Sequence, residues 1–393
     1  NNNTAVGYQS LSANTTGSEN TAVGYQSLNA NTTGDNNTAS GYQALQTNTT
    51  GSNNVAKGLY ALLSNTTGNN NVAVGRSSLQ NNTTANQNTA VGYTAMFGNT
   101  TGESNSAFGT DSLRTNTTGG NNTALGVSAL YSNTTANNNA AVGYQCLYYN
   151  TTGYHNTGVG KNCLVNNTTG NENTGIGYYA LNSNTTATRN TAVGQKALFL
   201  TTTGSGNTAL GAFSGDKIST GTNNTNIGDD VDNYQASDSH SINIGEGFSG
   251  VGSNYFTFGK SGNRVYNQFT SNASWARSSD VRLKKDIQTN ADLGLGFIND
   301  LRTVTYKWKA PSELPETISG YDKEITEASH KDKMYGFIAQ EVKAALDKHS
   351  ITNFNGWTED NNGEQGVSYE MFVMPLVKAV QELSAKVTAL EAA

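Results

Sequence analysis

A glycine recurs at every seventeenth position along most of this chain, and the interval stays constant over fifteen repeats. The repeated unit reads N-T-A-V-G-Y-Q-A-L-x-x-N-T-T-G-x-N, and residues 20–36 follow it closely. An insertion would move apolar residues out of a shared core, so a constant interval indicates that the units stack as one array. The sequence therefore predicts a mainly β fold, a parallel β-roll or solenoid in which one repeat unit forms each rung, a single coil of the chain. The repeated glycines are Gly7, Gly24, Gly41, Gly58, Gly75, Gly92, Gly109, Gly126, Gly143, Gly160, Gly177, Gly194, Gly211, Gly228 and Gly245.

Composition and charge divide the chain into parts. Its 393 residues are 35% hydrophobic and 13% charged, whereas a typical globular domain is about 45–50% apolar and about 25% charged. Residues 1–211 hold 11 of the charged residues and none of the three prolines, so a boundary is expected after them. We predict a regular shaft over residues 1–211, an irregular β transition or tip over 212–278, and a third domain over 279–393. Within the transition, the period is expected to shorten at F-T-F-G, residues 256–259.

Charge and hydropathy exclude two kinds of partner. The net charge is −6 and the isoelectric point is about 5.3, so no basic surface is available to neutralise the phosphates of a nucleic acid. No run of about 18 apolar residues exists, so membrane insertion is not expected. The chain opens on Asn1-Asn2-Asn3 without Met or a signal-peptide pattern, and we expect an excised fragment whose targeting signal is not readable.

Each rung is expected to hold two short strands, around T-A-V-G-Y and around A-L, joined by turns rich in Gly and Asn. Stacked about 4.8 Å apart, fifteen rungs make a rod roughly 70 Å long. A rung supplies about one Val or Ile, one Leu and sometimes a Tyr, which leaves little interior, while the Ala and Gly columns are expected to form a flat outer face. We therefore predict a homotrimer, in which association buries what one chain cannot.

The N-T-T triplets allow two interpretations. Stacked threonines are similar to the ladders of ice-binding solenoids. The same triplet also fits a turn in which side chains hydrogen-bond to the backbone, and this is the interpretation that we favour.

The two cysteines, Cys146 and Cys163, lie one repeat apart in a column otherwise filled by Ser and Ala. Stacking would bring their Cα atoms about 4.8 Å apart, inside the disulfide range of about 4.4–6.8 Å. We favour two buried thiols that replace alanine, with a disulfide as the alternative. The four histidines are scattered, and no His/Cys spacing indicates a metal or cofactor site.

The repeated units resemble the head repeats of trimeric autotransporter adhesins, in which an N-S-x-A-x-G-like motif builds a trimeric parallel β-roll. The segment N-T-A-V-G at residues 20–24 occupies the place of that motif. The resemblance covers roughly residues 1–250 and implies a trimeric roll.

Four motifs follow one another in the third part of the chain: S-S-D-V-R-L-K-K-D-I at 278–287, V-T-Y-K-W-K at 304–309, Y-G-F-I-A-Q-E-V at 335–342, and a terminal heptad pattern. Together they resemble the intramolecular chaperone domain of phage tailspikes and tail fibres, the endosialidase type. The resemblance implies a small α+β domain that trimerises, guides the preceding β-fibre into register and then cuts itself off.

Carried over residue by residue, the resemblance makes Ser279 the nucleophile, Lys284 its base, and the peptide between Ser278 and Ser279 the bond that is cut. An ammonium group cannot take a proton, so Lys284 must be partly neutral, through burial and the nearby cations Arg282 and Lys285. The chain would then be a serine peptidase with a Ser-Lys dyad that acts once, on itself, and no enzyme for an external substrate is predicted. The alternative is that S-S-D is a loop and helix cap and that R-L-K-K is a solvated face.

The last residues carry apolar side chains at spacings of 3, 4, 3, 4 and 3, which is the a/d seam of a coiled coil. The pattern predicts a coiled-coil helix over about residues 370–392. Its seam consists of Val373, Leu376, Val380, Leu383, Val387 and Leu390.

These features predict a structural and receptor-binding tail fibre on the surface of a virion, in the extracellular space. As a homotrimer it would contact a host cell-surface receptor, either a glycan or a surface protein, and other virion tail proteins. A cellular trimeric surface adhesin is the first alternative. An ice-binding or glycan-cleaving fibre is another, although the clustered acids Asp229, Asp230 and Asp232 lie in a short turn rather than in a catalytic domain.

Overall fold

The chain forms two compact units, residues 1–283 (the N-terminal unit) and residues 284–393 (the C-terminal unit). The computed structural model describes residues 2–269, 276–277, 285–315, 321–328, 332–360 and 363–393.

The N-terminal unit is a parallel β-solenoid, as its repeat predicts. One three-residue strand recurs at the same place in each of fourteen rungs. These strands are β1 (Thr4–Val6), β2 (Thr21–Val23), β3 (Thr38–Ser40), β4 (Val55–Lys57), β5 (Val72–Val74), β6 (Thr89–Val91), β7 (Ser106–Phe108), β8 (Thr123–Leu125), β9 (Ala140–Val142), β10 (Thr157–Val159), β11 (Thr174–Ile176), β12 (Thr191–Val193), β13 (Thr208–Leu210) and β14 (Thr225–Ile227).

The register of these strands follows the repeat without a slip. Ala22 pairs with Ala39 and Ala39 with Ala56, so each residue lies beside its equivalent one rung later. The spacing shortens near the end, where Gly245 pairs with Gly259. The expected shortening of the period is therefore confirmed.

Among the described residues of the N-terminal unit, six further strands follow β14. β16 and β18 continue the parallel stack from β14, β19 runs antiparallel to β18, and β20 runs antiparallel to β19. A separate pair is formed by β15 and β17. The strands are β15 (Val231–Asp232), β16 (Ile242–Glu246), β17 (Phe248–Ser249), β18 (Tyr255–Lys260), β19 (Asn263–Gln268) and β20 (Ala276–Arg277).

The prediction of a second strand in each rung, around A-L, is wrong. In this segment alternate residues have a left-handed backbone, with φ of 52° at Gln26 and 48° at Leu28. The N–H of Gln26 donates to Tyr8 O in the preceding rung at 2.8 Å, and the N–H of Leu28 donates to Ala44 O in the following rung at 3.0 Å. Bonds between rungs are therefore kept, but a chain that alternates in this way curls into turns instead of extending.

The solenoid core lies inside a single chain, which also corrects an expectation. The Ala and Leu columns, exemplified by Ala56 and Leu62, are completely buried and pack on one another. The Ala column therefore does not form the expected flat outer face. The apolar residues left exposed are those expected inside, such as Val23 and Tyr25, whose exposed fractions are 39% and 41%.

The glycine column has a geometric cause. Gly24 has a φ of +135°, and a Cβ at this position would overlap the carbonyl oxygen of Gly41 in the next rung. Any side chain would therefore both strain the backbone and separate two rungs.

Two buried asparagine ladders connect the rungs. Asn105 donates its N–H to Asn88 Oδ1 and its Nδ2 to Gly119 O, each at 2.9 Å. In the second ladder, Asn116 Nδ2 donates to Asn99 Oδ1 at 2.8 Å and also to Gly119 O. Buried amides that are paired in this way stabilise the turns, so the favoured interpretation of the N-T-T triplets is confirmed.

Where the structure describes it, the C-terminal unit contains three helices and two small antiparallel hairpins. The helices are α1 (Leu295–Asn299), α2 (Ala339–Lys348) and α3 (Val373–Glu391), and 3-10 turns lie at Pro311–Glu313 and Tyr369–Phe372. The hairpins pair β21 (Val304–Tyr306) with β22 (Met334–Gly336), and β23 (Trp357–Glu359) with β24 (Gln365–Val367).

Candidate functional site: the C-terminal unit

The residues predicted to cut the chain lie outside the described residues. Ser278, Ser279 and Lys284 all fall between β20 and Lys285. The dyad and the cleaved bond therefore stay predictions. The first described residues after them, Lys285 and Asp286, are exposed to solvent.

An aromatic core holds the three helices of the C-terminal unit together. Phe297 of α1 is 1% exposed and stacks on Phe372, with ring centroids 6.3 Å apart. Val342 and Leu346 of α2 are buried against the same cluster. This core fixes the chain that follows the predicted dyad to the base of α3.

A carboxylate on α3 caps α1. Glu382 Oε2 accepts a hydrogen bond of 2.8 Å from the N–H of Leu295, and this bond is the main reason that the pKa of Glu382 lies below its usual value. A Cβ on Gly294 would come within 2.5 Å of Glu382 Oε1, so glycine allows this approach. A negative charge at a helix N-terminus also interacts favourably with its unpaired N–H groups.

Ion pairs connect the ends of α1 and α2. Asp300 accepts from Lys348 at 2.7 Å and contacts His349 Nε2 at 2.6 Å. The Lys348 bond is the first cause of the lowered pKa of Asp300, and the His349 bond is the second. Arg302 forms a bidentate pair with Glu341 at the start of α2. All these groups are near the surface, so they orient the helices more than they stabilise the fold.

The Y-G-F motif has a packing role that the sequence alone does not reveal. Tyr369 Oη accepts a hydrogen bond of 3.1 Å from the N–H of Phe337, and the two rings stack with centroids 5.7 Å apart. Gly336 lies directly under the Tyr369 hydroxyl, where a Cβ would overlap it. Neither Tyr369 nor Glu382 stands out in the sequence, because each acts on a residue far away along the chain.

The predicted helical seam is present and uncovered within the described part of the C-terminal unit. The apolar residues at a and d positions of α3 are all well exposed, from 44% at Val387 to 78% at Leu390. Met374 and Val377 widen the apolar strip, with exposed fractions of 65% and 46%. A helix that presents such a strip to water is poorly stable alone and fits association with other helices.

An open groove of about 500 Å³ lies between the end of β21 and the start of α2, beside the 3-10 turn that precedes α3. Its walls include Trp308, Ile338 and Tyr369, which are all partly exposed. Among the described residues, no group of three His, Cys, Asp or Glu side chains is placed to hold a metal ion. In that same part of the chain, no helix combines the length and apolarity needed to cross a bilayer.

The clustered acids of the N-terminal unit take part in contacts within the solenoid. Asp232 is completely buried, and its carboxylate pairs with Lys217 Nζ at 2.8 Å. Burial, followed by the neighbouring Asp232, raises the pKa of Asp216 to about 6. These contacts close the last regular rungs, and they leave Asp229 exposed on the turn.

A comparison with known protein families finds a match in the region that contains α1 and α2. Residues 279–351 match the family model described as chaperone of endosialidase. The match begins at Ser279 and includes α1 and α2, while α3 follows it. Domains of this family are associated with trimerisation, so the match suggests a trimeric fibre with an intramolecular chaperone. No curated protein and no solved structure matches the chain.

Proposed function

We propose that this chain is a structural and receptor-binding tail fibre of a virion, which works outside the cell as a homotrimer. The observation that carries the proposal is the presence, in one chain, of a long repetitive solenoid and a segment that matches the chaperone of endosialidase. The solenoid provides length, and the C-terminal unit provides assembly. The host receptor, a glycan or a surface protein, and the other tail proteins of the virion are the expected partners.

The repetitive solenoid creates an assembly problem that a chaperone solves. Because one rung is nearly identical to the next, two chains displaced by a single rung would meet almost the same surface. The correct alignment therefore needs a unique end. A C-terminal unit that gathers three chains defines that end and raises the local concentration of the solenoids, after which folding can propagate along the array.

The helix α3 supports this role. Its exposed seam, Val380 and Leu383 among others, has the spacing of a coiled coil. Three such helices would bury each other's apolar strips. Since Glu382 on the same helix caps α1, an assembled α3 would also hold the chain segment after the predicted dyad.

The proposed cut uses the hydroxyl of Ser279 and the amine of Lys284. With its proton taken by neutral Lys284, Ser279 Oγ attacks the carbonyl carbon of Ser278, and the amide nitrogen of Ser279 leaves with that proton. The resulting ester joins the Ser278 carbonyl to Ser279 Oγ. Water then hydrolyses the ester, which leaves a carboxylate on Ser278 and a free amine on Ser279. Assembly that buries Lys284 would favour its neutral form and make the cut depend on folding.

Mass spectrometry of the full chain with sedimentation tests both parts of the proposal. The wild type should sediment as a trimer and release a C-terminal fragment that begins at Ser279. Ser279→Ala and Lys284→Ala should form trimers that remain whole. Ser278→Ala is the matched control, because it keeps the attacked carbonyl, and it should still be cut.

Each outcome separates one part of the proposal from the other. A trimer whose wild-type chain stays whole would refute the cut and leave the assembly role. A Lys284→Ala chain that is cut at the wild-type rate would exclude the dyad. A monomeric wild-type chain would refute the fibre assembly itself.

A further inference from the structure

The outer face of the solenoid sheet is a long, regular and uncovered surface of the N-terminal unit. In β2–β14 the middle residue is buried in the core and the two flanking residues point out, as in the exposed-buried-exposed pattern of β2, β4, β8 and β13. The first outward position is most often Thr, and the second is most often Val, Ile or Leu. We call the outward positions of β1–β14 the strand face.

The second outward position gives the strand face an apolar row beside the row of threonines. Phe108, Leu125, Ile176 and Leu210 expose between 41% and 49% of their surface on it. In the fourteen strands, all of which the structure describes, Lys57 is the one charged residue that lies on this face. The other charged residues of the shaft lie in the turns between strands.

A parallel sheet with one bare face is unusual. Parallel sheets are normally covered on both faces, and here only the inner face is covered, by the Leu column. Large contiguous apolar surfaces on soluble proteins mark sites of association. The strand face is therefore a surface on which association is favoured.

The period of the face identifies the occupant as other copies of this chain. The side chains repeat along the axis at the rung spacing of about 4.8 Å, and a partner must present the same spacing to pack against every rung. A second copy of the chain has the same spacing, because it has the same repeat. Because the face is almost free of charge, equivalent rungs of parallel copies can meet without like-charge repulsion.

The area is also sufficient. Fourteen strands at about 4.8 Å span about 65 Å, and a strip about 10 Å wide then offers roughly 650 Å² per chain. A standard protein interface buries about 800 Å² per partner, so the strand face alone approaches that size. Exposed tyrosines that follow the strands, such as Tyr25, Tyr93 and Tyr144, would add to it. A face of this kind can hold solenoids together along their length.

We infer that the strand face of β1–β14 is the surface on which the copies of this chain pack, side by side, parallel and in register. This inference rests on the homotrimer of the proposed function and adds the surface that forms it. No residue of another chain enters the core of a solenoid in this arrangement, because the Ala and Leu columns are already buried within one chain. Association would then cover outward residues instead of completing a core.

Thiol labelling of the full chain tests the inference. Ile176→Cys places a thiol on the strand face, and Thr169→Cys places one on an exposed turn earlier in the chain. Both positions are exposed in a single chain, and the native Cys146 and Cys163 are completely buried and serve as a silent background. With a water-soluble thiol reagent, the thiol at 176 should react at least tenfold more slowly than the thiol at 169.

A charge substitution gives a second measurement that does not depend on labelling. Ile176→Glu should lower the midpoint of thermal unfolding by several degrees, because it puts one carboxylate per chain into the proposed interface. Thr169→Glu, the matched control, should leave the midpoint within about one degree. A trimer in which both thiols react equally fast and both Glu variants unfold alike would overturn the inference and leave the proposed function intact. A wild-type chain that sediments as a monomer would overturn both.

Discussion

Cys163 fills the space that an alanine side chain at position 175 would occupy. A Cβ on Gly175 would lie 2.6 Å from Cys163 Sγ, and the same relationship holds between Cys146 and Gly158. In several of the preceding rungs the equivalent pair is two alanines, such as Ala61 and Ala73. The larger cysteine and the smaller glycine therefore compensate each other in a closely packed core. Both thiols are free and buried, so the interpretation of two thiols that replace alanine is confirmed.

The Cys163–Gly175 pair predicts strong coupling between two substitutions. Gly175→Ala should lower the free energy of unfolding by about 1–3 kcal/mol, because its methyl group overlaps the sulfur. The double variant Cys163→Ala/Gly175→Ala recreates the pair found at Ala61 and Ala73 and should recover most of that loss. Urea unfolding followed by circular dichroism measures both. An equal loss in the two backgrounds would contradict the packing argument.

The first asparagine ladder predicts a large cost for removing one amide. Asn105→Ala removes the acceptor of the Asn122 N–H and of Asn122 Nδ2, and it leaves the Gly119 carbonyl with one donor, Asn116 Nδ2, instead of two. Each unpaired buried group costs about 1–3 kcal/mol, so unfolding should require clearly less urea. Thr118→Ala, at an exposed position of the neighbouring turn, is the control and should change stability by less than about 0.5 kcal/mol. Equal midpoints for the two variants would show that the ladder is not stabilising.

The raised pKa of Asp216 predicts a dependence of stability on pH. Its value of about 6 lies above the ordinary 3.8, so the folded chain holds this proton more tightly than the unfolded chain does. Stability contributed by this group is therefore greatest at low pH and falls as pH rises from about 4 to about 6. Asp216→Asn removes the ionisation and should be more stable than the wild type above pH 6.

Thermal unfolding of the wild type and of Asp216→Asn at pH 4, 5, 6 and 8 checks this sign. The difference in midpoint should grow from pH 4 to pH 6 and then level off. Asp229→Asn removes the same charge from a nearby exposed position and is the matched control for the loss of one negative charge. A constant difference for Asp216→Asn across the series would be inconsistent with the predicted titration.

The exposed seam of α3 predicts which helix positions control assembly. Leu383→Glu places a charge on the seam and should shift the full chain from trimer towards monomer in sedimentation. Ala385→Glu places the same charge two residues away, outside the a/d positions, and should leave the trimer in place. Because Leu383 is 51% exposed in one chain, neither change should unfold the C-terminal unit, which near-ultraviolet circular dichroism can verify. Trimers from both variants would exclude the seam as an assembly surface.

Much of the architecture can be predicted from the sequence because the repeat is so regular. The period, the stacking of equivalent residues, the shortening near Gly259 and the terminal helix are all confirmed. The second strand of each rung could not be predicted, because A-L fits a strand as well as a turn. Its conformation depends on the left-handed backbone at Leu28 and its equivalents, which costs energy locally and is offset by burial of the leucine in the stack.

In the C-terminal unit, too, part of the structure could be predicted from the sequence and part could not. Its motifs are sufficient to indicate the family that residues 279–351 match. The Glu382 cap on α1 and the Tyr369 contact with Gly336 and Phe337 could not be predicted, because each joins residues separated by more than 30 positions. Such pairs leave no periodic signal in a sequence.

What the sequence by itself determined is the length of each coil, and hence which residues stack on which. That information is one-dimensional, and a constant period is enough to supply it. Only the tertiary structure decided which columns face the core and which face water, since the direction of a side chain depends on the backbone angles around it. Those angles place Ala and Leu inside one chain and leave Val and Tyr outside, so the strand face, and not the alanine column, is open to solvent in a single chain.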